Sequence, residues 1–175
     1  MISDFLKSAI NLKNVSRQGW IDKLSIDKPE SVADHSYSMA VIGMVISDLE
    51  KLNTEKILKM ILLHDLAESK IGDYTPEKIS YEKKKELENT AFEEIIEKIP
   101  VNIKSEYLKI WQEYQDKTSP ESKIVHQIDK LEMALQAKSY QQKGYSKGIK
   151  SFFESAKKEI TDPKLKELFR QIVEE

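Results

Sequence analysis

Apolar residues recur at helical spacing along almost the whole of this sequence, and no stretch shows the period-two alternation of a half-buried strand. Within residues 102–116, for example, Tyr107, Trp111 and Tyr114 lie three or four positions apart and therefore share one face of a helix. The chain has 175 residues and contains no internal repeat or long linker, so its length fits one ordinary domain. The pattern predicts an all-α, single-domain helical bundle over residues 1–175.

The predicted helices are separated by glycines, prolines and capping residues. Their expected bounds are about 2–14, 32–51, 55–69, 76–99, 102–116, 120–143, 149–160 and 163–174. Ser31 is expected to cap the helix that follows it, and residues 21–30 are expected to form a loop. Gly72 is placed to end the preceding helix in a left-handed conformation, while Thr75 and Pro76 are placed to begin the next one.

The composition excludes several kinds of site and partner. The chain has no cysteine, which excludes disulfides and thiolate metal sites and fits a reducing cytoplasm. Its 28 basic and 30 acidic residues are interspersed, so their balance gives no argument for binding a nucleic-acid polymer. No apolar run reaches membrane-spanning length, and the N-terminus lacks the order of a signal peptide. We therefore expect a soluble, cytoplasmic protein with no membrane partner.

Residues 60–68 place three potential metal ligands inside an apolar segment. In a helix, Glu68 is four positions from His64 and three from Asp65, so it shares a face with both. The apolar neighbours, Leu62 among them, predict that this helix is largely buried. Charged groups removed from water are paired, bound to a metal or shifted in pKa. The segment therefore predicts a site that needs further ligands from elsewhere in the chain.

Two further candidates are His35, in the first turn of a predicted helix, and Asp129, in the middle of another. Together with His64 and Asp65 they supply two imidazoles and two carboxylates from three helices, a set that suits a divalent ion. Each residue also has an ordinary explanation. His35 fits a surface position and His64 a core histidine bonded to a carbonyl. Asp65 and Asp129 fit ion pairs with lysines, so the residues alone leave both interpretations open.

These residues lie within an ordered set of five motifs. The motifs are Arg17-x-x-Trp20, Glu30–Ser36, His64–Glu68, Gly72–Pro76 and Asp129–Glu132. Their order resembles the HD-domain metal-dependent phosphohydrolases and, within them, the 5′-deoxynucleotidase (YfbR-like) branch. The resemblance covers residues 5–143, whereas residues 145–175 are predicted to form C-terminal helices without a motif. The implied fold is an HD-domain helical bundle with a metal site between helices.

The resemblance implies one divalent ion held by His35, His64, Asp65 and Asp129. Such an ion lowers the pKa of a bound water and polarises a phosphoryl oxygen. Nitrogen and oxygen ligands do not distinguish Mn, Co, Fe, Zn, Ni and Mg. The implied reaction is hydrolysis of deoxyribonucleoside 5′-monophosphates to deoxynucleoside and phosphate. The implied partners are a small nucleotide substrate and a second copy of the chain in a homodimer.

The resemblance also implies roles for residues near the ion. Glu68 and Asp73 are the implied catalytic residues, with Glu68 orienting or deprotonating the water or protonating the leaving oxygen. Arg17, Trp20, Asp73 and Thr75 are the implied substrate-binding residues. A guanidinium suits a pair of phosphate oxygens, and Trp20 beside the sugar would crowd a 2′-hydroxyl. The ordinary alternatives are an ion pair for Glu68 and a core position for Trp20.

Several other residues receive no catalytic role. His126 is predicted to be a neighbour of the ligands or a surface residue rather than a ligand. Residues 83–85 are three lysines among acids and predict a solvated helix face. Tyr107, Trp111 and Tyr114 fit either a dimer interface or the core.

Two other functions fit the same motifs. The first is an HD-domain phosphohydrolase that acts on another nucleotide or a small phosphate ester, because the His-Asp motif itself does not select the substrate. The second is a non-catalytic helical module that merely binds a metal. Glu68 and Asp73 argue against the second function, because a scaffold has no use for an unpaired acid beside an ion.

Overall fold

Helices make up nearly all of the regular structure in the computed structural model, which describes residues 1–174. They are α1 Ile2–Asn11, α2 Gln18–Leu24, α3 Val32–Glu50, α4 Thr54–His64, α5 Glu68–Ile71, α6 Tyr81–Ile96, α7 Val101–Asp116, α8 Pro120–Gln142, α9 Lys150–Glu159 and α10 Pro163–Glu174. A 3₁₀ turn at Leu12–Asn14 follows α1. The one β contact in the described chain is an isolated bridge between Ser16 and Ser31. The predicted all-α fold is confirmed.

The centre of the bundle is formed by α3, α4 and α8, which pack against one another. Gly43 lets α3 approach α4 closely, because a methyl group at this position would collide with Ile61 and lie 3.2 Å from Ile57 Cγ2. Ile128 of α8 reaches the same place and is fully buried. These three helices carry three of the four predicted metal ligands, so the packing of the core itself brings them together.

The start of α3 has the predicted cap. Ser31 Oγ accepts a hydrogen bond from the Asp34 N–H at 3.2 Å, and the Asp34 carboxylate accepts one from the Ser31 N–H at 2.9 Å. This reciprocal arrangement satisfies N–H groups that a helix end otherwise leaves free. The cap fixes the first turn of α3, in which His35 is fully buried.

The predicted helix over residues 55–69 is interrupted in the structure. α4 ends at His64, Asp65 has φ −107° and ψ 9°, and the separate helix α5 begins at Glu68. The prediction of one continuous helix was therefore wrong, and Glu68 reaches the site from a second, short helix. The prediction that Leu62 is buried was also wrong, since this residue is 56% exposed and points away from the core.

The start of α6 also differs from the prediction. α6 begins at Tyr81 rather than at Pro76, because Ser80 Oγ accepts the Lys83 N–H at 3.3 Å and caps the helix there. Thr75 is instead buried in the segment between α5 and α6. The cap signal at residue 75 was therefore misassigned, and a second serine five positions later supplies the cap.

The segment that follows α5 explains why α2 forms, a helix that the sequence did not predict. Gly72 ends α5 as predicted, with a φ of +81° that favours glycine, although its ψ of 168° is extended rather than left-handed helical. Asp73 Oδ2 then accepts the Gln18 N–H at 2.8 Å and so caps the first turn of α2. Because this partner is remote in sequence, the local pattern predicted a loop where the later part of α2 forms.

The C-terminal helices α9 and α10 pack against α8 and complete the bundle. Phe152 of α9 lies against Trp20 of α2, with ring centroids 4.1 Å apart. The segment without motifs therefore closes one side of the domain over the motif-bearing helices. None of the helices described over residues 1–174 has the length and apolar character needed to cross a membrane.

Candidate active site

A cavity of about 530 Å³ lies between α2 and the helices α4 to α9. Its walls include the predicted site residues Arg17, Trp20, His64, Asp65, Glu68, Asp73, Thr75 and Asp129. His35, the remaining predicted ligand, is buried behind this wall, with its Nε2 3.3 Å from Asp129 Oδ1. The structure therefore brings all the predicted site residues to one place.

The ring of His64 is held in one orientation. Its Nδ1 lies 2.6 Å from the carbonyl oxygen of Ile61. Because a carbonyl oxygen can only accept, Nδ1 carries the proton and Nε2 presents a lone pair. This Nε2 lies 3.0 Å from Asp65 Oδ2, and neither atom has a hydrogen-bond partner among residues 1–174. Two electron-rich atoms so close together need a proton or a cation between them.

The ring of His35 is also held in one orientation by a bond to its Nδ1. Its Nδ1 lies 2.5 Å from Glu132 Oε2, so the proton on this nitrogen is held by the carboxylate. Its Nε2, which has no hydrogen-bond partner in the described chain, lies 3.3 Å from Asp129 Oδ1 and 3.9 Å from Asp65 Oδ2. The potential ligand atoms of His35, His64 and Asp129 all lie within 4.8 Å of one another. Two lone pairs and two carboxylates thus converge on one point.

The carboxylates create a strongly negative environment for the imidazoles. Burial lowers the pKa of His35, and Arg17 lowers it further. Contacts with Asp129 and Glu132 outweigh both effects and raise this pKa to about 9. Burial raises the pKa of Asp129, but Lys130 and His35 together hold it well below its ordinary value. A site that attracts a proton this strongly also attracts a divalent cation, which displaces the proton on binding.

A second acid, the partly buried Glu30, lies behind His35. One oxygen of Glu30 lies within 4.8 Å of the ligand atoms of His35 and Glu132. Glu30 Oε1 accepts a hydrogen bond from Trp20 Nε1 at 2.8 Å. Burial, followed by repulsion from Glu132, raises the pKa of Glu30 to about 7. Contacts therefore run from the Trp20 ring through Glu30 and the buried Glu132 to His35.

Glu68 enters the cavity from α5 and is 1% exposed. Its Oε1 accepts a hydrogen bond from Lys84 Nζ at 3.3 Å, whereas its Oε2 has no partner in residues 1–174. Burial, followed by repulsion from Asp65 and Asp73, raises the pKa of Glu68 well above its ordinary value. A free carboxylate oxygen with a high affinity for a proton is what general acid–base catalysis requires.

Asp73 and Thr75 line the cavity from the segment between α5 and α6. Asp73 Oδ2 accepts the Gln18 N–H, and its Oδ1 lies 3.8 Å from Lys84 Nζ. The Thr75 hydroxyl donates to Asp22 Oδ2 at 3.3 Å. Both side chains therefore hold α2 against this segment in addition to bordering the cavity.

Arg17 spans the two aspartates of the ligand group. Its Nη1 lies 3.5 Å from Asp65 Oδ2, and its Nη2 lies 4.0 Å from Asp129 Oδ1. Burial disfavours the guanidinium charge, but the surrounding carboxylates, Asp65 first among them, outweigh it and raise the pKa of Arg17. The guanidinium therefore stays charged at the cavity wall.

The Trp20 ring forms part of the cavity wall and is packed between other aromatic rings. Its ring is 2% exposed, and the ring centroids of Phe152 and Tyr140 lie 4.1 and 5.1 Å away. The indole N–H is taken by Glu30. The core position that the sequence left open for Trp20 is the observed one, although its ring also borders the cavity.

Comparison with known proteins gives the family of this fold. A family model described as HD domain matches residues 9–171. The chain belongs to the HD domain family. Human "5'-deoxynucleotidase HDDC2" is 35% identical over 170 residues, a match that covers 96% of this HD domain chain and 82% of the human protein.

Two further proteins are similar over nearly the whole of this HD domain. The Schizosaccharomyces pombe protein "5'-deoxynucleotidase hdd1" is 37% identical over 179 residues, with 99% of this chain and 89% of that protein covered. A solved structure of a conserved hypothetical protein from Pyrococcus furiosus has a TM-score of 0.82 at 29% identity. That match covers 98% of this chain and 99% of the other. The resemblance inferred from the motifs is confirmed.

The donor set of this HD domain fits a divalent ion. The buried atoms without a hydrogen-bond partner in the described chain include His35 Nε2, His64 Nε2, Asp65 Oδ2 and Glu68 Oε2. Three of these four atoms belong to predicted metal ligands. Imidazole nitrogens and carboxylate oxygens together suit a divalent transition-metal ion or Mg²⁺. An ion beside these atoms would satisfy groups that residues 1–174 leave without a partner.

The sequence interpretation missed Lys84 of this HD domain. The three lysines 83–85 were expected to form a solvated face, and this expectation was wrong for Lys84. Its Nζ lies 3.3 Å from Glu68 Oε1 and 3.1 Å from the carbonyl oxygen of Tyr74. A signal was available, because position 84 is seven residues before the buried Ala91 and so lies on the inward face of α6.

The sequence also gave no role to α9, which contributes Ser151, Phe152, Ser155 and Glu159 to the cavity wall. No local signal marks these residues, because they reach the HD domain site only through tertiary packing. The wall therefore extends well beyond the motif-bearing region.

The packing shows where His126 lies relative to the ligand atoms and whether the aromatic residues of α7 belong to the core. His126 Nε2 lies 2.9 Å from the Tyr114 carbonyl oxygen, and the two rings stack with centroids 4.1 Å apart. His126 thus borders the cavity outside the group of ligand atoms, in agreement with the prediction. Trp111 is buried and stacks on Phe92, while Tyr107 and Tyr114 pack partly buried against the core.

Proposed function

We propose that this HD domain is a metal-dependent 5′-deoxynucleotidase, which hydrolyses deoxyribonucleoside 5′-monophosphates to deoxynucleoside and phosphate. The observation that carries the proposal is the convergence of two imidazole lone pairs and two aspartates beside a free carboxylate oxygen and an arginine. The relatives named 5'-deoxynucleotidase support the substrate class, because they match this chain over nearly its full length.

The proposed metal ligands are His35, His64, Asp65 and Asp129. A divalent ion held by them supplies Lewis-acid polarisation of a phosphoryl oxygen and makes a nearby water more acidic. The chain orients both imidazoles for binding, because each Nδ1 is engaged and each Nε2 has no hydrogen-bond partner among residues 1–174. This ligand set admits Mn, Co, Fe, Zn, Ni and Mg, so an add-back experiment has to identify the metal.

Glu68 is the proposed general acid–base residue, with Asp73 as a second catalytic carboxylate nearby. The oxygen of the attacking water bonds to phosphorus as the bond from phosphorus to the 5′-oxygen breaks. Glu68 Oε2 accepts the proton that the water loses and returns it to the 5′-oxygen as the alcohol leaves. Burial and the charges of Asp65 and Asp73 give Glu68 the proton affinity that this transfer needs.

Arg17 is the proposed phosphate-binding residue. Its distances of 3.5 and 4.0 Å to the aspartate oxygens are longer than the roughly 2.7–2.9 Å of a tight charge-assisted hydrogen bond. The guanidinium N–H groups therefore remain available to phosphate oxygens. Its fixed charge beside the ligand group would stabilise the phosphoryl oxygens while the bonds to phosphorus change.

Trp20 is the proposed wall beside the sugar, and Asp73 and Thr75 are the proposed polar contacts to the substrate. The Trp20 ring is held by Phe152 and by the hydrogen bond to Glu30, so it cannot move aside for a 2′-hydroxyl. Steric rejection of one hydroxyl is modest, about 100-fold at most in comparable pockets. We therefore expect slow turnover of ribonucleotides as well.

We also propose a homodimer. α3 exposes an apolar stripe at one-turn spacing, formed by Tyr37, Val41, Met44, Val45 and Leu49. Val45 and Leu49 of this stripe are 48% and 60% exposed. A contiguous apolar patch is a common mark of an interface. Light scattering tests the proposal: a dimeric mass that Val45→Glu reduces to a monomer supports it, and a monomeric wild type contradicts it.

Phosphate release from 5′-deoxynucleotides after chelation and metal add-back tests the proposed activity, with Glu68→Gln as the inactive control. Release that depends on both the metal and Glu68 supports the assignment. Metal binding without hydrolysis of any phosphate monoester would instead indicate a binding module. The cytoplasmic location stays a prediction of the sequence.

A further inference from the structure

Lys84 reaches from α6 into the wall of the candidate active site. Its ammonium lies 3.3 Å from Glu68 Oε1, 3.4 Å from Glu88 Oε1 and 3.8 Å from Asp73 Oδ1. It also donates to the carbonyl oxygen of Tyr74 at 3.1 Å. An ammonium has three N–H groups, and these four acceptors offer partners for all of them. The Lys84 side chain is therefore held in place.

The position of the Glu68 carboxylate depends on Lys84 more than on any other described side chain. Within residues 1–174, Lys84 is the one side chain that donates a hydrogen bond to the Glu68 carboxylate, and it does so to Oε1 alone. The neighbouring Asp65 and Asp73 repel that carboxylate. A glutamate that is 1% exposed and faces like charges would turn away from them if its cationic partner were removed.

The two adjacent lysines lack this arrangement. Lys83 Nζ pairs with Glu86 on the same helix at 2.8 Å, and Lys85 Nζ pairs with Asp116 at 3.3 Å. Lys83 is exposed and is not among the residues that line the cavity. It therefore provides a matched control for the charge of Lys84 one position away.

We propose that Lys84 is a positioning residue, which holds Oε1 of Glu68 and leaves Oε2 free for the reacting groups. The inference rests on the proposed function, because it gives Lys84 its effect through the acid–base role of Glu68. By its contact with the Tyr74 carbonyl, Lys84 also ties α6 to the segment that carries Asp73. Lys84 thus acts on the rate of the chemical step and not on binding of the substrate.

A double-mutant cycle separates this role from direct contact with the phosphate. The variants are Lys84→Met, Lys84→Arg, Glu68→Gln and the double variant Lys84→Met with Glu68→Gln, with Lys83→Met as control. A misplaced catalytic group costs about 100-fold in rate, so we expect Lys84→Met to lower kcat by this order with KM unchanged. Lys84→Arg should recover part of the loss, and Lys83→Met should behave as wild type.

The decisive result is the effect of Lys84→Met in the Glu68→Gln background. If Lys84 acts through Glu68, the double variant is no slower than Glu68→Gln alone. Losses that multiply, or a loss confined to KM, would overturn the proposal and indicate that Lys84 contacts the substrate. Melting temperatures show whether each variant is folded, and Lys84→Gln replaces Lys84→Met if the latter does not fold.

A crystal structure of Lys84→Met decides the same question without an activity. We expect the Glu68 carboxylate to leave its place in the cavity or to occupy two positions, while His35 and His64 stay where they are. An unmoved Glu68 overturns the proposal. If the wild-type protein hydrolyses no nucleotide, the proposed function fails, and this structure still decides whether Lys84 positions Glu68.

Discussion

His35 Nδ1 lies 2.5 Å from Glu132 Oε2, and this contact between α3 and α8 turns Nε2 of the same ring toward Asp129 and Asp65. Glu132 is itself 3% exposed and lies one helical turn beyond Asp129. α8 therefore supplies both a proposed ligand and the acid that orients another one. A carboxylate in this position fixes the tautomer of a ligating imidazole and increases its basicity.

Loss of Glu132 should weaken metal binding without removing a ligand. We expect Glu132→Ala to lower metal affinity by about 10- to 100-fold, because comparable partners of ligating histidines have effects of this size. Competition with a fluorescent chelator measures the affinity. Glu154→Ala, at an exposed position on α9, is the control and should bind as wild type. Equal affinities for Glu132→Ala and wild type would show that His35 needs no such partner.

Substitutions of Glu68 and Asp65 should distinguish loss of catalysis from loss of metal binding. Glu68→Gln keeps the shape of the side chain but cannot accept the proton, so we expect kcat to fall by about 10²- to 10⁴-fold with metal still bound. Asp65→Ala should lose both activity and metal. Metal content and phosphate release are measured on the same samples. Near-normal activity of Glu68→Gln would contradict the role proposed for Glu68.

The two arginines of the chain provide a matched test of phosphate binding. Arg17→Lys loses the planar fork, and one charge-assisted hydrogen bond is worth about 1.5–3 kcal/mol. We therefore expect kcat/KM to fall by about 10- to 100-fold. Arg170 pairs with Glu167 and Glu174 on the exposed face of α10, so Arg170→Lys should have no effect. Equal kinetics of the two variants would exclude Arg17 from phosphate binding.

Glu30 should make the stability of the metal-free protein depend on pH. Burial and then Glu132 raise its pKa from 4.5 to about 7 in the folded protein. The folded state therefore holds this proton more tightly than the unfolded chain. The resulting stability is fully present below pH 4.5 and is lost as the pH rises through 7.

Glu30→Gln tests this dependence because it retains an acceptor for the Trp20 N–H but cannot titrate. Urea unfolding at a series of pH values gives the free energy of unfolding for both proteins. Between pH 4.5 and 7, we expect this free energy to fall more steeply for the wild type than for Glu30→Gln. Parallel curves would show that Glu30 keeps its ordinary pKa in the folded protein.

The fold was predictable because its determinants are local. Helical periodicity and the Ser31 cap are properties of neighbouring residues, and both are found in the structure. The four proposed ligands were recognisable because they lie within ordered motifs. Their convergence follows from the packing of α3, α4 and α8, which one buried glycine, Gly43, makes possible.

The remaining features depend on contacts between distant residues. The predicted helix breaks at Asp65, whose carboxylate lies 3.5 Å from Arg17 Nη1. The first turn of α2 is capped by Asp73, which accepts the Gln18 N–H. Lys84 lies among lysines and acids that look like a solvated surface in sequence. Only the fold shows that its four acceptors lie on α5, on α6 and in the intervening segment.

The most direct test of the central claim is phosphate release from a matched panel of nucleotides. The panel contains 5′-deoxyribonucleoside and 5′-ribonucleoside monophosphates, 3′-monophosphates and cyclic nucleotides, each measured after chelation and add-back of Mn²⁺, Co²⁺, Zn²⁺ or Mg²⁺. We expect metal-dependent release mainly from the 5′-deoxynucleotides and its loss in Glu68→Gln. Equal release from ribonucleotides would contradict the role of Trp20 as the sugar wall. No release with any metal, from protein shown to be folded, would contradict the assignment as a phosphohydrolase.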